Sequence, residues 1–173
     1  MNRIMLCTFA GAFVVGCGQL EDGISSERSA IANPGPTWTV FANPYGDGRP
    51  NPTEGISGFV SHNTSDGSTH VALHVRGLPA DREFGSHVHA LPCNQNAAGG
   101  HYRNDPAGPA TPTNEIWLDF ATNDAGNGEA QAVNAFLIRP NGAHAVAIHD
   151  HGTDPATGAA GPKLACVDVN FDE

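Results

Sequence analysis

The sequence predicts an all-β protein, a Greek-key β-barrel or sandwich of about eight antiparallel strands with two long functional loops. After residue 37, apolar residues recur with a period of two, which is typical of half-buried strands and not of a helix. Segments rich in Gly, Pro, Asn and Asp separate these short runs and predict turns. Many short strands joined by Gly-rich turns favour a β-sandwich or a β-barrel.

The N-terminal segment has the features of a secretory signal. A positive start at Arg3 precedes an apolar stretch over 4–16, which is shorter than the roughly 20 residues that span a bilayer. The run VVGC that ends at Cys17 resembles a bacterial lipobox, in which the cysteine is lipidated and becomes the first mature residue. An ordinary signal peptide cleaved nearby is the alternative. A lipoprotein would lie in the bacterial cell envelope, anchored through its lipid and facing the periplasm or the exterior. The predicted regions are a signal peptide over 1–16, a lipidated N-terminus and flexible tether over 17–36, and the folded domain over 37–173.

The strands follow in chain order, each identified by alternation or by a short apolar run between turns. In the third strand, Val71, Leu73 and Val75 share one face, which we expect to be buried. Two stretches without a strand pattern, 92–114 and 150–163, are long and rich in turn residues. Long irregular loops in a compact β domain are usually functional. The strands are predicted over 37–40, 56–61, 70–76, 87–89, 115–120, 130–138, 143–149 and 164–171.

The charge balance and the histidine content indicate the chemistry to expect. Acidic residues outnumber basic residues 18 to 8, and the net charge of −10 argues against a general nucleic-acid binder, which would carry a basic surface. The chain has nine histidines although only 15% of its residues are charged, which indicates metal or proton chemistry.

The four cysteines separate into two groups. Cys7 lies in the predicted signal peptide and Cys17 carries the predicted lipid. Cys93 and Cys166 remain, and a secreted domain folds in an oxidising compartment. Two cysteines without a CxxC spacing make a poor zinc site, so we predict a disulfide between Cys93 and Cys166. A crosslink that closes so long a loop is worth roughly 4 kcal/mol in the chain-entropy description.

Four histidines form a candidate metal site. His87 and His89 flank Val88 in the fourth predicted strand, and residues i and i+2 of a strand share a face about 7 Å apart. Both imidazoles can therefore approach one ion while Val88 points to the core. An HxH pair alone is a weak signal, but His101 in the next loop and His149 at the end of another strand complete a four-nitrogen set. Imidazoles suit Cu, Zn, Fe or Ni, and a planar four-nitrogen set favours Cu(II).

Five short segments surround these histidines and the two cysteines. They are GSHVH at 85–89, Cys93, GHY at 100–102, AIH at 147–149 and GPKLAC at 161–166. In order and approximate spacing they resemble the copper/zinc superoxide dismutase family over roughly residues 37–171. The resemblance implies that superoxide is the substrate and that copper cycles between Cu(II) and Cu(I). It also implies that His101 releases copper and takes up a proton on reduction, and that the disulfide anchors the loop beside the metal. The implied copper ligands are His87, His89, His101 and His149.

Three departures from the family pattern concern the second metal and the substrate. The zinc-containing enzymes need two further histidines after the bridging one, and none occurs between His101 and Glu115. Only His101, Asp105 and Glu115 would remain for a weak zinc site. The loop after His149 is short. Lys163 stands before Leu-Ala-Cys, where the family usually has an arginine near copper.

The loss of the zinc ligands and the short loop resemble the copper-only branch of the family, in which a carboxylate stands near the bridging histidine. Glu115 matches that carboxylate by position and would accept a hydrogen bond from His101, which would fix the orientation and basicity of the ring. A solvated acid at the start of a strand is the alternative for Glu115. Lys163 would attract superoxide as a point charge, although it lacks the rigid fork of arginine.

The predicted function is therefore a copper-dependent superoxide dismutase without zinc. A copper-binding lipoprotein that stores the metal is the alternative from another class, and a two-metal enzyme is a further one. A hydrolytic zinc enzyme is disfavoured, because four histidines leave no open ligand position of the usual kind. The sequence leaves the oligomeric state undetermined. The other histidines are expected in surface or structural positions, with His151 the nearest in sequence to a ligand.

Overall fold

The computed structural model describes residues 35–172, which lie in one unit that spans residues 34–173. This part of the chain contains nine β-strands and one 3-10 turn, Asn96–Ala98, and no α-helix. The predicted all-β class is confirmed. The strands are β1 Trp38–Val40, β2 Ser57–Ser65, β3 Ser68–Arg76, β4 Glu83–Phe84, β5 Ser86–His89, β6 Phe120–Ala121, β7 Gly128–Asn134, β8 Ala145–His149 and β9 Lys163–Asp168.

The strands pair in antiparallel sheets. One sheet has the order β1-β9-β8-β5, a second has the order β2-β3-β7, and β4 pairs with β6 alone. Neighbours such as β3 with β7 and β5 with β8 are distant in sequence, so the chain crosses between sheets as it does in a Greek-key sandwich. This crossing brings β5 and β8, which carry three of the four candidate ligands, side by side.

One apolar core holds the two larger sheets together. Val71, Leu73 and Val75 of β3 are buried, as the alternation predicts, in the same cluster as Val146 and Ile148 of β8. Burying one such side chain contributes about 1.5–3 kcal/mol relative to leaving it exposed. The core therefore fixes the strands from which the candidate metal ligands project.

Two strands end earlier than predicted. β7 ends at Asn134 and not at residue 138, because the Asn134 side chain donates to the backbone carbonyls of Pro112 and Glu115. The chain then turns, with the Phe136 amide bonded to the Asn134 carbonyl. β9 ends at Asp168, three residues before the predicted end.

The strand predicted over 115–120 is mostly irregular. Only Phe120 belongs to a regular strand, β6. Ile116 and Leu118 are nevertheless buried, and both bond to the backbone of β5: the Val88 amide donates to the Ile116 carbonyl, and the Leu118 amide to Ser86. The predicted apolar face is thus present without a regular ladder.

Both long loops are present, since no strand falls between residues 90 and 119 or between 150 and 162. The predicted signal peptide over 1–16, the lipidation of Cys17 and the tether up to residue 34 lie outside the described residues. Over residues 35–172, the structure has no helix with the length and hydropathy that crossing a membrane requires.

Candidate metal centre

Four histidine side chains converge where β5, β8 and the loop after β5 meet. His87 and His89 lie on β5, His149 ends β8, and His101 in the loop forms a β-bridge with His89. One ligand atom from each of the four lies within 4.8 Å of the others. Val88 points into the core between the two β5 histidines, as the period of a strand predicts.

The hydrogen bonds of His89 and His149 determine which ring nitrogen of each carries the proton. His89 Nδ1 lies 3.3 Å from the Gly99 carbonyl oxygen, and His149 Nδ1 lies 3.0 Å from the Gly161 carbonyl oxygen. A carbonyl only accepts, so both Nδ1 atoms donate and both Nε2 atoms keep a lone pair. These Nε2 atoms face each other at 3.2 Å. Two lone pairs at this distance are favourable only with a cation between them.

His87 presents its other ring nitrogen to the centre. The Thr153 hydroxyl donates to Asp119 Oδ1 at 2.8 Å, so it accepts from His87 Nε2 at 2.7 Å. His87 Nδ1 is then unprotonated. It is buried and has no hydrogen-bond partner among the described residues. A buried nitrogen without a partner is costly, and a bound metal ion would satisfy it.

His101 is oriented by a buried carboxylate. Its Nδ1 lies 2.7 Å from Glu115 Oε2, which leaves Nε2 for a metal. The Glu115 side chain is fully buried and also accepts from Trp117 Nε1 and from Arg103 Nε, each at 2.8 Å. The predicted contact between Glu115 and His101 is present, and the alternative of a solvated acid does not describe this side chain.

The electrostatic environment keeps three of the four imidazoles neutral. Burial, followed by the neighbouring histidines, lowers the pKa of His87 and His89 far below the usual value. Burial also lowers the pKa of His149 to about 4, although its bond to Gly161 opposes the shift. Burial raises the pKa of Glu115, but the bonds from His101, Trp117 and Arg103 outweigh it, so the net shift is downward. Neutral imidazoles are the form that binds metal.

The donor set fits a metal ion. Each histidine has one ring nitrogen held by an acceptor and the other turned towards the cluster. Partners of this kind fix the tautomer and orientation of metal-binding histidines. Nitrogen-only ligands suit copper and zinc alike.

Lys163 ties the first long loop to β9. Its ammonium donates to the carbonyl of Ala97 at 2.8 Å and to the carbonyl of Gly99, which also accepts from His89. Burial lowers the pKa of Lys163. The residue predicted to attract the substrate therefore also holds the loop that orients a candidate ligand.

Asp105 is placed differently from Glu115. It is exposed, and its Oδ1 accepts from the Ala107 amide at 3.0 Å. The predicted weak zinc set of His101, Asp105 and Glu115 does not appear among the groups of three or more closely spaced ligands in residues 35–172. His151 is also outside these groups, with a side chain 67% exposed.

Asp119 and Thr153 support the candidate site, and the sequence analysis did not single them out. Asp119 binds the Ser86 amide and both the amide and hydroxyl of Thr153, and through Thr153 it orients His87. A signal was present, because Glu115, Trp117 and Asp119 alternate with the buried apolar residues and therefore share a face. On that face, Glu115 is buried against His101, Trp117 packs edge-on against His87, and the partly exposed Asp119 reaches His87 through Thr153.

The fold and the site together define an antiparallel β-sandwich in which four histidines form a candidate metal site where β5 and β8 are paired. No protein-family model and no curated protein sequence matches this chain. Solved structures do resemble it. A SOD-like protein from Bacillus subtilis has 18% sequence identity and a TM-score of 0.51, over 65% of this chain and 89% of that protein. The Cu/Zn superoxide dismutase from Brucella abortus has 20% identity and a TM-score of 0.52, over 65% of this chain and 88% of that enzyme.

This chain therefore has the fold of the Cu/Zn superoxide dismutases. The disulfide is present as predicted, between Cys93 and Cys166. The crosslink lies close to the histidines, since Cys166 is on β9, which pairs with β8, the strand that His149 ends.

Proposed function

We propose that this protein is a copper-dependent superoxide dismutase that works without zinc. The observation that carries the proposal is the convergence of four unprotonated imidazole nitrogens, with the Glu115 carboxylate behind His101. Copper(II) binds such nitrogen sites more tightly than zinc does, according to the Irving–Williams order. When bound, copper supplies the Cu(II)/Cu(I) couple by which one superoxide leaves as oxygen and a second, with two protons, leaves as hydrogen peroxide.

The histidines divide the work between holding the metal and moving a proton. His87, His89 and His149 are buried and held by acceptors, so they keep the centre rigid. The His101 side chain is 15% exposed. We therefore assign to His101 the role of exchanging a proton with solvent at Nε2, while Glu115 keeps the proton on Nδ1.

Lys163 is the proposed attractant for superoxide. It is the sole lysine of the chain, in a protein whose net charge of −10 repels an anion. A local positive charge can raise the association rate of an oppositely charged substrate by roughly 10- to 1000-fold at low ionic strength. The ammonium lies close to the centre: burial is the main cause that lowers the pKa of His89 and His149, and the charge of Lys163 lowers both further.

Replacing Lys163 by methionine is expected to lower kcat/KM by about tenfold at low ionic strength, the lower end of the steering range. The rate of the unmodified protein should fall as salt is added, and the Lys163→Met rate should not. Lys163→Arg keeps the charge and should keep the salt dependence. Arg76→Met is a matched control, since it removes one exposed charge from the end of β3. A wild-type rate that rises with salt would mean that repulsion dominates.

The first test of the function is turnover with copper alone. A soluble variant that begins at residue 17 and carries Cys17→Ser would be loaded with copper and shown to be free of zinc. Fast dismutation is expected. Negligible turnover with tightly bound copper would contradict the proposal, and adding zinc to the same sample would then separate a two-metal enzyme from a storage protein.

Copper storage is the second candidate function. His87 and His89 are fully buried, which favours tight retention of a metal. A storage protein would bind copper without the salt-dependent turnover expected above.

We also propose that the protein is an envelope lipoprotein, on the strength of the N-terminal sequence and its Cys17. Mass spectrometry of protein extracted from membranes should find a diacylated N-terminal cysteine. Cys17→Ser should move the protein to the soluble fraction.

A further inference from the structure

Both oxygens of the Glu115 carboxylate accept hydrogen bonds. Oε2 accepts from His101 Nδ1 at 2.7 Å and from Trp117 Nε1 at 2.8 Å. Oε1 accepts from Arg103 Nε at 2.8 Å. The side chain is fully buried, so water does not compete for these oxygens. A charged carboxylate in such a place needs a compensating positive charge.

Arg103 supplies that charge and is fixed from several directions. Its Nη1 donates to the Gly108 carbonyl at 3.3 Å, and its own carbonyl accepts from Arg139 Nη1 at 2.8 Å. Glu115 is the one acidic partner of Arg103 within ion-pair distance among residues 35–172. The Arg103 side chain is 39% exposed and that of Glu115 is buried, so Arg103 lies on the solvent side of the carboxylate.

A second metal ion behind His101 would need the same atoms. Zinc takes about four ligands, and the candidates here are His101 Nδ1 and the Glu115 oxygens. His101 Nδ1 carries the proton shared with Glu115, and Glu115 Oε1 is bound to a guanidinium. Arginine stays protonated in proteins, so its charge cannot be titrated away to admit another cation.

We propose that Arg103 is a fixed internal cation that takes the place of a second metal ion and makes the centre mononuclear. It holds the Glu115 carboxylate against His101 and repels a divalent cation from that carboxylate. Arg103 is thus a positioning and metal-specificity residue. The inference rests on the proposed copper function for its setting, but its test does not use dismutation.

The first arm of the test measures how Arg103 acts on the four-histidine centre. Arg103→Met removes the charge and the hydrogen bond at similar length, and Arg103→Lys keeps the charge. We expect Arg103→Met to weaken copper binding about tenfold, in the range for loss of a group that orients a ligand. Its Cu(II) electron paramagnetic resonance spectrum should also change. Arg103→Lys should largely restore both. Arg76→Met is the control, because it also replaces an arginine by methionine but at an exposed position at the end of β3, in the other large sheet.

The second arm tests exclusion with a matched pair of variants. Trp117→His places an imidazole nitrogen near the position of the indole Nε1, and so adds a ligand beside Glu115 while Arg103 remains. Trp117→His with Arg103→Met adds the same ligand without the cation. Copper-loaded protein would be titrated with Co(II), which reports tetrahedral sites through its visible bands, and with Zn²⁺ by native mass spectrometry. We expect no additional ion in the single variant and one additional ion per chain in the double variant.

The outcomes separate the inference from the function it builds on. An additional zinc ion in the unmodified protein, or in the Trp117→His variant, would overturn the exclusion. Wild-type copper affinity and spectrum in Arg103→Met would overturn the positioning role. If a Trp117 variant fails to fold, the Arg103→Met and Arg103→Lys comparison still decides the positioning role, and titration of the copper-loaded unmodified protein and of Arg103→Met with zinc still tests the exclusion. If the protein binds copper but lacks dismutation, the proposed function fails while both arms remain decisive.

Discussion

Replacing Glu115 by glutamine is expected to weaken copper binding by about 10- to 100-fold, the loss typical of removing a group that orients a metal-binding histidine. Glutamine has nearly the same shape but only one carbonyl oxygen. If that oxygen stays at the position of Oε2, it keeps the bonds from His101 and Trp117. The amide nitrogen then faces Arg103 Nε, donor against donor, where a carboxylate oxygen now accepts at 2.8 Å.

The same substitution should destabilise the metal-free protein. A hydrogen bond to a charged group contributes about 1.5–3 kcal/mol, and Glu115→Gln removes at least one such bond in a fully buried place. Copper affinity would be measured by competition with a chelator, and stability by urea unfolding of the metal-free variant.

A matched control is Glu129→Gln. The Glu129 side chain is 81% exposed and lies 3.6 Å from His74, remote in the fold from the four histidines. Replacing Glu129 should leave the copper affinity and the urea stability near their wild-type values. Wild-type copper affinity in Glu115→Gln would mean that the carboxylate supports the loop alone and does not set the basicity of His101.

Removing the disulfide is expected to give the largest loss of stability. The Cys93–Cys166 crosslink joins residues 73 apart in sequence, and closing a loop of this length is worth roughly 4 kcal/mol in the chain-entropy description. Replacing both cysteines by alanine avoids burying new hydroxyl groups among the small side chains packed there, Ala98, Ala145 and Ala147. The midpoint of urea unfolding should fall accordingly, against a Cys17→Ser parent that keeps the crosslink.

The disulfide variant should also bind copper less tightly. Cys93 begins the segment that includes Gly99, whose carbonyl orients His89 and anchors Lys163. Without the crosslink, hydrogen bonds alone hold this segment: those from Lys163, the 2.7 Å bond from the Cys93 amide to Asp168, and the backbone bonds to Ala98 and Gly100. We expect about a tenfold loss of affinity. If the variant without the disulfide unfolded at the same urea concentration as its Cys17→Ser parent, loop closure would not account for the stability of the protein.

The sequence by itself predicted the fold class, the disulfide pair and a strand face shared by His87 and His89. The fold class and that face follow from local rules, whereas the resemblance to the copper/zinc superoxide dismutase family implied that His101 and His149 join them. Alternation of apolar residues reports strand geometry, so Val71, Leu73 and Val75 could be assigned to the core before any pairing was known. An HxH spacing places two imidazoles on one face of any strand, and His87 and His89 occupy such a face.

Only the tertiary structure decided how the centre is supported. The partners of the histidines come from segments far apart in the chain: Thr153 holds His87, and Gly161 holds His149. Sequence alternation placed Glu115, Trp117 and Asp119 on one face, and the family resemblance linked only Glu115 to His101; the contacts of Trp117 and Asp119 with the site came from the tertiary structure. Arg103 shares its loop with Glu115, yet their ion pair depends on how the loop folds back. Packing of loops is a long-range property of the chain, because a loop has no repeating backbone geometry from which the direction of a side chain can be derived.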